Sequence, residues 1–302
     1  MITSLKKLAQ TLRLNLSEFA ADNLFPEFPL QVPESFVARI KQNDINDPLL
    51  LQILPQQREL QNIKGFNTDP IFEKKYSPIT GLIHKYHGRV LLLVTDNCVL
   101  NCRFCFRRHL REKITDWQKV FSYIKNDSTV TEVILSGGDP LMLAQGKLKE
   151  IMDQLAQIPH IKRIRIHSRV PIAMPKLVTS RLIQSKIPVV LMVHCNHSNE
   201  INDDVVECLD LLRKQNITIF NQAVLLKGVN DDSEVLVALS EKLFSVGVIP
   251  CYLHILDKVK GAAHFYVNIE RAKKIYSEMQ KKLSGFLVPK LVVEVKNKKK
   301  YV

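Results

Sequence analysis

From about residue 76 the chain alternates short apolar runs with amphipathic stretches. The runs are 90–94, 133–135, 164–166, 189–193, 217–220 and 249–253. Their length and β-branched content suit strands buried on both faces. Between them, apolar residues recur at helical spacing: Trp117, Val120, Phe121 and Ile124; Leu148, Ile151, Met152 and Leu155; Val205, Val206, Leu209 and Leu212; Val235, Leu236, Leu239 and Leu243. Six strand–helix units, spaced by roughly 30 residues, predict parallel strands with crossover helices. Six units fall short of a closed eight-stranded barrel. The expectation is an α/β fold built as an open, partial (β/α)6 barrel.

The flanks read differently. Residues 1–75 hold Pro26, Pro29, Pro33, Pro48, Pro55 and Pro70, a density that breaks long elements. Leu5, Leu8 and Leu12 keep helical spacing, so this part is expected to be an extension of short helices packed on the main domain. Residues 76–284 form the expected core. Ile269 to Leu283 reads as a last helix, which Gly285 ends. Within 285–302, Leu291 to Val295 suits one more strand, and Lys296-Asn297-Lys298-Lys299-Lys300 suits a basic tail.

Length and charge narrow the classes. The 302 residues suffice for one large domain with an extension. No apolar run approaches the ~20 residues of a membrane span. The N-terminus lacks the pattern of a signal peptide. A cytoplasmic protein is expected, since clustered thiols suit a reducing compartment. The net charge of +13, from 43 basic and 30 acidic residues, is spread along the chain. No finger, helix-turn-helix or aromatic–basic stacking pattern accompanies it, so direct nucleic-acid binding is not expected.

In parallel α/β folds ligands gather at the carboxyl ends of the strands. After the first run comes Cys98-Val99-Leu100-Asn101-Cys102-Arg103-Phe104-Cys105, a C-x3-C-x2-C triplet. Three thiolates can hold three irons of a [4Fe-4S] cubane and leave one iron open, whereas clusters normally take four cysteines. A zinc site completed by His109, or three inert thiols, are the competing readings. Zinc sites usually pair two such hooks, and inert cysteines are usually scattered, as Cys195, Cys208 and Cys251 are.

After the second run, Ser136-Gly137-Gly138-Asp139-Pro140 permits close backbone approach to a ligand, or is an ordinary tight turn. After the third, Ser168 and Arg169 stand where a carboxylate can be clamped, unless Arg169 is a surface arginine. His194, Gln222 and Asp257 follow or end the next three runs, and each is equally compatible with a solvated loop.

The triplet after a strand, with the glycine motif behind it, resembles the radical S-adenosylmethionine (SAM) superfamily. That resemblance implies a cluster whose open iron chelates SAM and cleaves it to a 5′-deoxyadenosyl radical. Residues 76 to about 294 further resemble the lysine 2,3-aminomutases, in particular the branch that β-lysylates elongation factor P. The residues that carry the resemblance are His84 through Leu93, Cys102 through His109, Ser136 through Leu141, Asn221-Gln222, Tyr252-Leu253-His254 and Gly261 through Phe265.

This resemblance implies L-lysine as substrate, (R)-β-lysine as product, pyridoxal 5′-phosphate (PLP) as second cofactor and the elongation factor P pathway as destination. A homo-oligomer stays open. By the same resemblance Lys85 and Arg89 meet the PLP phosphate, and Arg107 the substrate carboxylate. Asp257 and Glu294 meet the substrate ε-ammonium. Ser136, Gly137, Gly138, Asp139, Ser168, Arg169, His194 and Gln222 lie near SAM. One carboxylate and two amines do suit one arginine and two acids.

The chain departs from the family at the lysine that holds PLP. That lysine follows the acid at Glu294 by about seven residues, in a glycine-containing turn. Here the glycines are missing and the count lands on Tyr301. A one-residue gap gives Lys300, with Lys298 and Lys299 as alternatives. Without such a lysine the reading becomes a radical SAM enzyme of another reaction or an impaired paralogue. A non-catalytic iron–sulfur protein is the remaining alternative.

Overall fold

The computed structural model describes residues 1–15, 27–180, 182–295 and 298–301. Three short helices lead the chain: α1 (Leu5–Leu12), α2 (Glu34–Val37) and α3 (Pro48–Leu51). Strands β1 (Leu82–Tyr86) and β2 (Arg89–Thr95) follow as a hairpin. Then come α4 (Trp117–Asn126), β3 (Glu132–Gly137), α5 (Gln145–Ala156), β4 (Arg163–Ser168) and α6 (Val170–Ala173). The chain continues through β5 (Val189–His194), α7 (Asp203–Arg213), β6 (Thr218–Leu225), α8 (Ser233–Ser245), β7 (Ile249–Ile255) and α9 (Ile269–Lys282). It closes with β8 (Lys290–Val295) and β9 (Lys298–Tyr301).

Among the described residues the strands form one nine-stranded sheet in sequential order. It is parallel from β2 to β8, with β1 and β9 antiparallel at its edges. The sheet is open, since β1 and β9 do not pair. It is nevertheless curled. Lys85 on β1 and Glu294 on β8 touch, although six strands separate theirs in the sheet.

All six apolar runs are strands, and the helical spacings fall on α4, α5, α7 and α8. Two expectations need correction. Among the described residues the β4–β5 crossover holds the four-residue α6 and a 3-10 turn at Pro175–Leu177 in place of a full helix. The edge strands β1 and β9 carry polar residues and lack an apolar run, so periodicity passes over them; β9 lies in what reads as a basic tail.

The N-terminal extension is tied down. Helix α1 buries Leu5, Leu8 and Leu12, and its N-cap Ser4 accepts from the Lys7 amide. Ser35 donates to the Ala173 carbonyl at 2.9 Å and the Arg39 guanidinium donates to the Glu200 carbonyl, which clamps α2 to the loops after β4 and β5.

Candidate active site

A cavity of about 630 Å3 opens at the carboxyl ends of the parallel strands. Every candidate residue from 85 to 294 lines it: Lys85 and Arg89; Cys98, Cys102, Cys105 and Arg107; Ser136, Gly137, Gly138 and Asp139; Ser168 and Arg169; His194, Gln222, Asp257 and Glu294. Lys298, Lys299 and Lys300 belong to β9, and their side chains lie outside the described residues.

The cysteine loop has no regular secondary structure, and the extension splints it. Asn101 donates its backbone N–H to the Gln31 carbonyl at 3.0 Å, and Arg103 donates its own to the Gln52 carbonyl at 2.9 Å. Gln31 Nε2 donates to the Cys98 carbonyl at 2.6 Å. Beneath the loop, Arg103 and Arg108 both reach the fully buried carboxylate of Glu59 at 2.6 Å. Two guanidinium groups compensate that one charge, which burial would otherwise make expensive.

Burial and the mutual proximity of the thiols push Cys98 up and push Cys105 up to about 11. Burial also raises Cys102, against the pull of Arg169. Such thiols resist ionisation until a cation joins them. Among the described residues no group of three or more His, Cys, Asp or Glu side chains is set to hold a metal ion. A cubane takes one thiolate per iron, so its ligands stand apart. Cys195 does not approach as a fourth ligand: it is fully buried and its thiol donates to the His197 carbonyl. A set of three thiols in one cavity wall therefore fits a cluster with an open iron.

The glycines work by close approach. Gly137 has φ +112°, and a Cβ there would lie 2.4 Å from the Thr95 carbonyl oxygen. A Cβ at Gly138 would lie 2.2 Å from the Asn97 carbonyl oxygen. These contacts press the β3 loop onto the entrance to the cysteine loop, where the Gly138 and Asp139 amides donate to Thr95 and Asn97. Asp139 is buried and accepts from the Leu141, Arg169 and Val170 amides and from the Ser168 hydroxyl at 2.7 Å. Its oxygens thus hold the β3 and β4 loops together.

Arg169 is the hub of a buried network that sequence reasoning missed. Its Nη1 donates to Cys102 Sγ at 2.7 Å, and its Nη2 to Gln52 Oε1 at 2.7 Å and Glu200 Oε2 at 3.0 Å. Its Nε is buried without a protein partner, a donor left for a ligand. Gln52 also donates to Glu200 and accepts from Asn196 Nδ2 at 2.9 Å. This orients the Asn196 amide, so His194 Nε2 donates to Asn196 Oδ1 at 3.1 Å. Burial and the charge of Arg169 push His194 down to about 3. The ring is therefore neutral and its Nδ1 is an acceptor. Gln52 sits in a proline-rich stretch without periodicity, so no local signal marks it.

A second polar group shares the cavity. Glu294 Oε1 accepts from Lys85 Nζ at 2.5 Å and from the Tyr86 hydroxyl at 2.6 Å. Burial and the hydrogen bond to Glu294 push Tyr86 up. Arg89 stacks 4.7 Å from the Tyr86 ring. Tyr86 and Glu73, which pairs with Arg107 at 2.5 Å, are further residues that sequence reasoning gave no role.

Residues 92–239, which carry the three thiols of this cavity, match the model of the Radical SAM superfamily. The chain is 45% identical to the L-lysine 2,3-aminomutase of Buchnera aphidicola subsp. Baizongia pistaciae, over 100% of this chain and 92% of that protein. It is 44% identical to the Escherichia coli L-lysine 2,3-aminomutase, over 89% of this chain and 81% of that one. For the Haemophilus influenzae L-lysine 2,3-aminomutase the figures are 41%, 89% and 82%. The chain belongs to the lysine 2,3-aminomutase family, a family of isomerases.

Proposed function

We propose that the chain is a PLP-dependent L-lysine 2,3-aminomutase that makes (R)-β-lysine for modification of elongation factor P in the cytoplasm. One observation carries this reading: a single cavity brings the thiol group with Arg169 and Arg107 together with the Lys85–Tyr86–Arg89 cluster and the acids Asp257 and Glu294. When bound, the cluster supplies one electron to cleave SAM, and PLP supplies a conjugated ring that spreads an unpaired electron during nitrogen migration. The three thiols hold the cluster. The orphan Arg169 Nε and the neutral His194 Nδ1 offer SAM one donor and one acceptor, and Gln222, opposite His194 in the β5–β6 register, offers its amide. Lys85 and Arg89 give a dianionic phosphate two cations. Arg107 receives the substrate carboxylate, and Asp257 with Glu294 its ε-ammonium.

The lysine that holds PLP is assigned to β9. Lys299 stands opposite Glu294 in the β8–β9 register, and Lys300 opposite Val293. The resemblance gives Lys300, with Lys298 and Lys299 as the alternatives. The elongation factor P destination rests on the sequence resemblance.

The test is anaerobic reconstitution with iron, sulfide and PLP, followed by SAM, reductant and L-lysine. β-Lysine should form, and should vanish in Cys102→Ala. Borohydride reduction of the PLP-loaded protein, then peptide mapping, should label Lys300, with Lys298 and Lys299 as the alternatives. SAM cleavage without β-lysine would defeat the aminomutase reading, and a label outside residues 298–300 would overturn the assignment of the PLP lysine alone.

A further inference from the structure

Arg107 carries five N–H donors in a planar fork. Its Nε faces both Glu73 oxygens, at 3.1 and 2.9 Å, and its Nη2 donates to Glu73 Oε1 at 2.5 Å. Its Nη1 donates to the Ser136 hydroxyl at 3.0 Å. Three donors are thus engaged. Of those that remain, one is on Nη1 and one on Nη2, and adjacent terminal N–H groups of this kind meet a carboxylate with two parallel bonds. Arg107, Glu73 and Ser136 all line the cavity. The Glu73 side chain is 5% exposed and that of Arg107 is 12% exposed, so little solvent screens the pair.

Glu73 is well placed to hold an angle. It belongs to the turn Glu73–Tyr76, and its amide donates to Asp69 Oδ1 at 2.9 Å. Ser136 is on β3, so the guanidinium is gripped from the extension and from the sheet.

We infer that Glu73 is a positioning residue for substrate binding: it occupies the side-on edge of the Arg107 guanidinium and so presents the end-on edge to the α-carboxylate of the amino-acid substrate. This rests on the reading of Arg107 as the carboxylate partner. Both forks then belong to one arginine, with an internal carboxylate on one and the substrate's on the other.

The experiment compares two ligands, L-lysine and L-lysinamide, whose difference is the charge that Arg107 would read. Calorimetric affinities are measured on the reconstituted holoenzyme without reductant. The wild type should favour L-lysine. In Arg107→Lys that preference should collapse. In Glu73→Ala the lysine affinity should drop about tenfold, the ~1.4 kcal/mol of one charge-assisted contact made poorly, while lysinamide affinity stays put. Glu73→Gln, which keeps one acceptor for the fork, should fall between, and it replaces the alanine variant if that chain fails to retain iron. A preference unchanged in Glu73→Ala or Glu73→Gln, or an equal loss for both ligands, would overturn the role of Glu73. A preference unchanged in Arg107→Lys would instead defeat the underlying reading of Arg107.

Discussion

Lys85 and Glu294 are 209 residues apart in the chain, yet their ammonium and carboxylate stand 2.5 Å apart. Lys85 is on the edge strand β1 and Glu294 on β8, next to the opposite edge, so the pair bridges the mouth of the open barrel. Their side chains are 6% and 15% exposed. Removing one partner of such a pair strands the other charge in a poorly hydrated place. Glu294→Ala should therefore lower stability by about 3 kcal/mol. Lys113→Ala, which deletes the exposed Lys113–Asp96 pair, should change it by less than about 1 kcal/mol. Urea unfolding of both variants checks the contrast.

Gln52 joins Arg169, Asn196 and Glu200 within hydrogen-bond distance. Gln52→Leu preserves bulk but leaves buried polar atoms without that partner, each such loss costing about 1–3 kcal/mol. The variant should lose at least about 2 kcal/mol in a urea titration. It should also slow SAM cleavage, because Arg169 would lose one of the groups that aim it at Cys102.

Gly138→Ala places a methyl where the Asn97 carbonyl oxygen now stands, so the start of the cysteine loop must shift. Overpacking of this kind costs about 1–3 kcal/mol. Iron retained after anaerobic reconstitution and desalting should fall sharply against wild type. Gly146→Ala, where a Cβ meets nothing within 4 Å, should retain iron normally.

Burial pushes His264 down to about 4, and both its ring nitrogens lack a protein partner. In the unfolded chain this histidine binds a proton near pH 6.5, whereas in the folded chain it resists doing so. Its contribution is fully present above pH 6.5 and is lost as pH falls from there toward 4. Stability should drop across that range by up to about 1.4 kcal/mol per pH unit from this residue. His264→Gln should flatten the profile by that slope when unfolding is followed at pH 7.5 and 5.

The apolar runs were readable as strands because a parallel strand covered on both faces must be apolar along its length, as Val133-Ile134-Leu135 and Val189 through Val193 are. The cysteine triplet and the glycine motif were readable for a similar reason: their chemistry depends on local spacing. Strand β1 was not, because an edge strand that places Lys85 and Tyr86 at the site cannot be apolar. Gln52 and Glu73 were silent for a different reason. Each acts only through an arginine distant in sequence, Arg169 or Arg107, and no local pattern encodes that pairing.

By itself, then, the sequence determined the alternating layers, the cysteine loop after a strand and the family, since periodicity and short motifs are properties of neighbouring residues. Only the tertiary structure decided which charges meet. The curl of the sheet brings β1 to β8 and folds the proline-rich extension against the cysteine loop, and it is this closure that turns Glu294, Glu73 and Gln52 toward partners tens to hundreds of residues away.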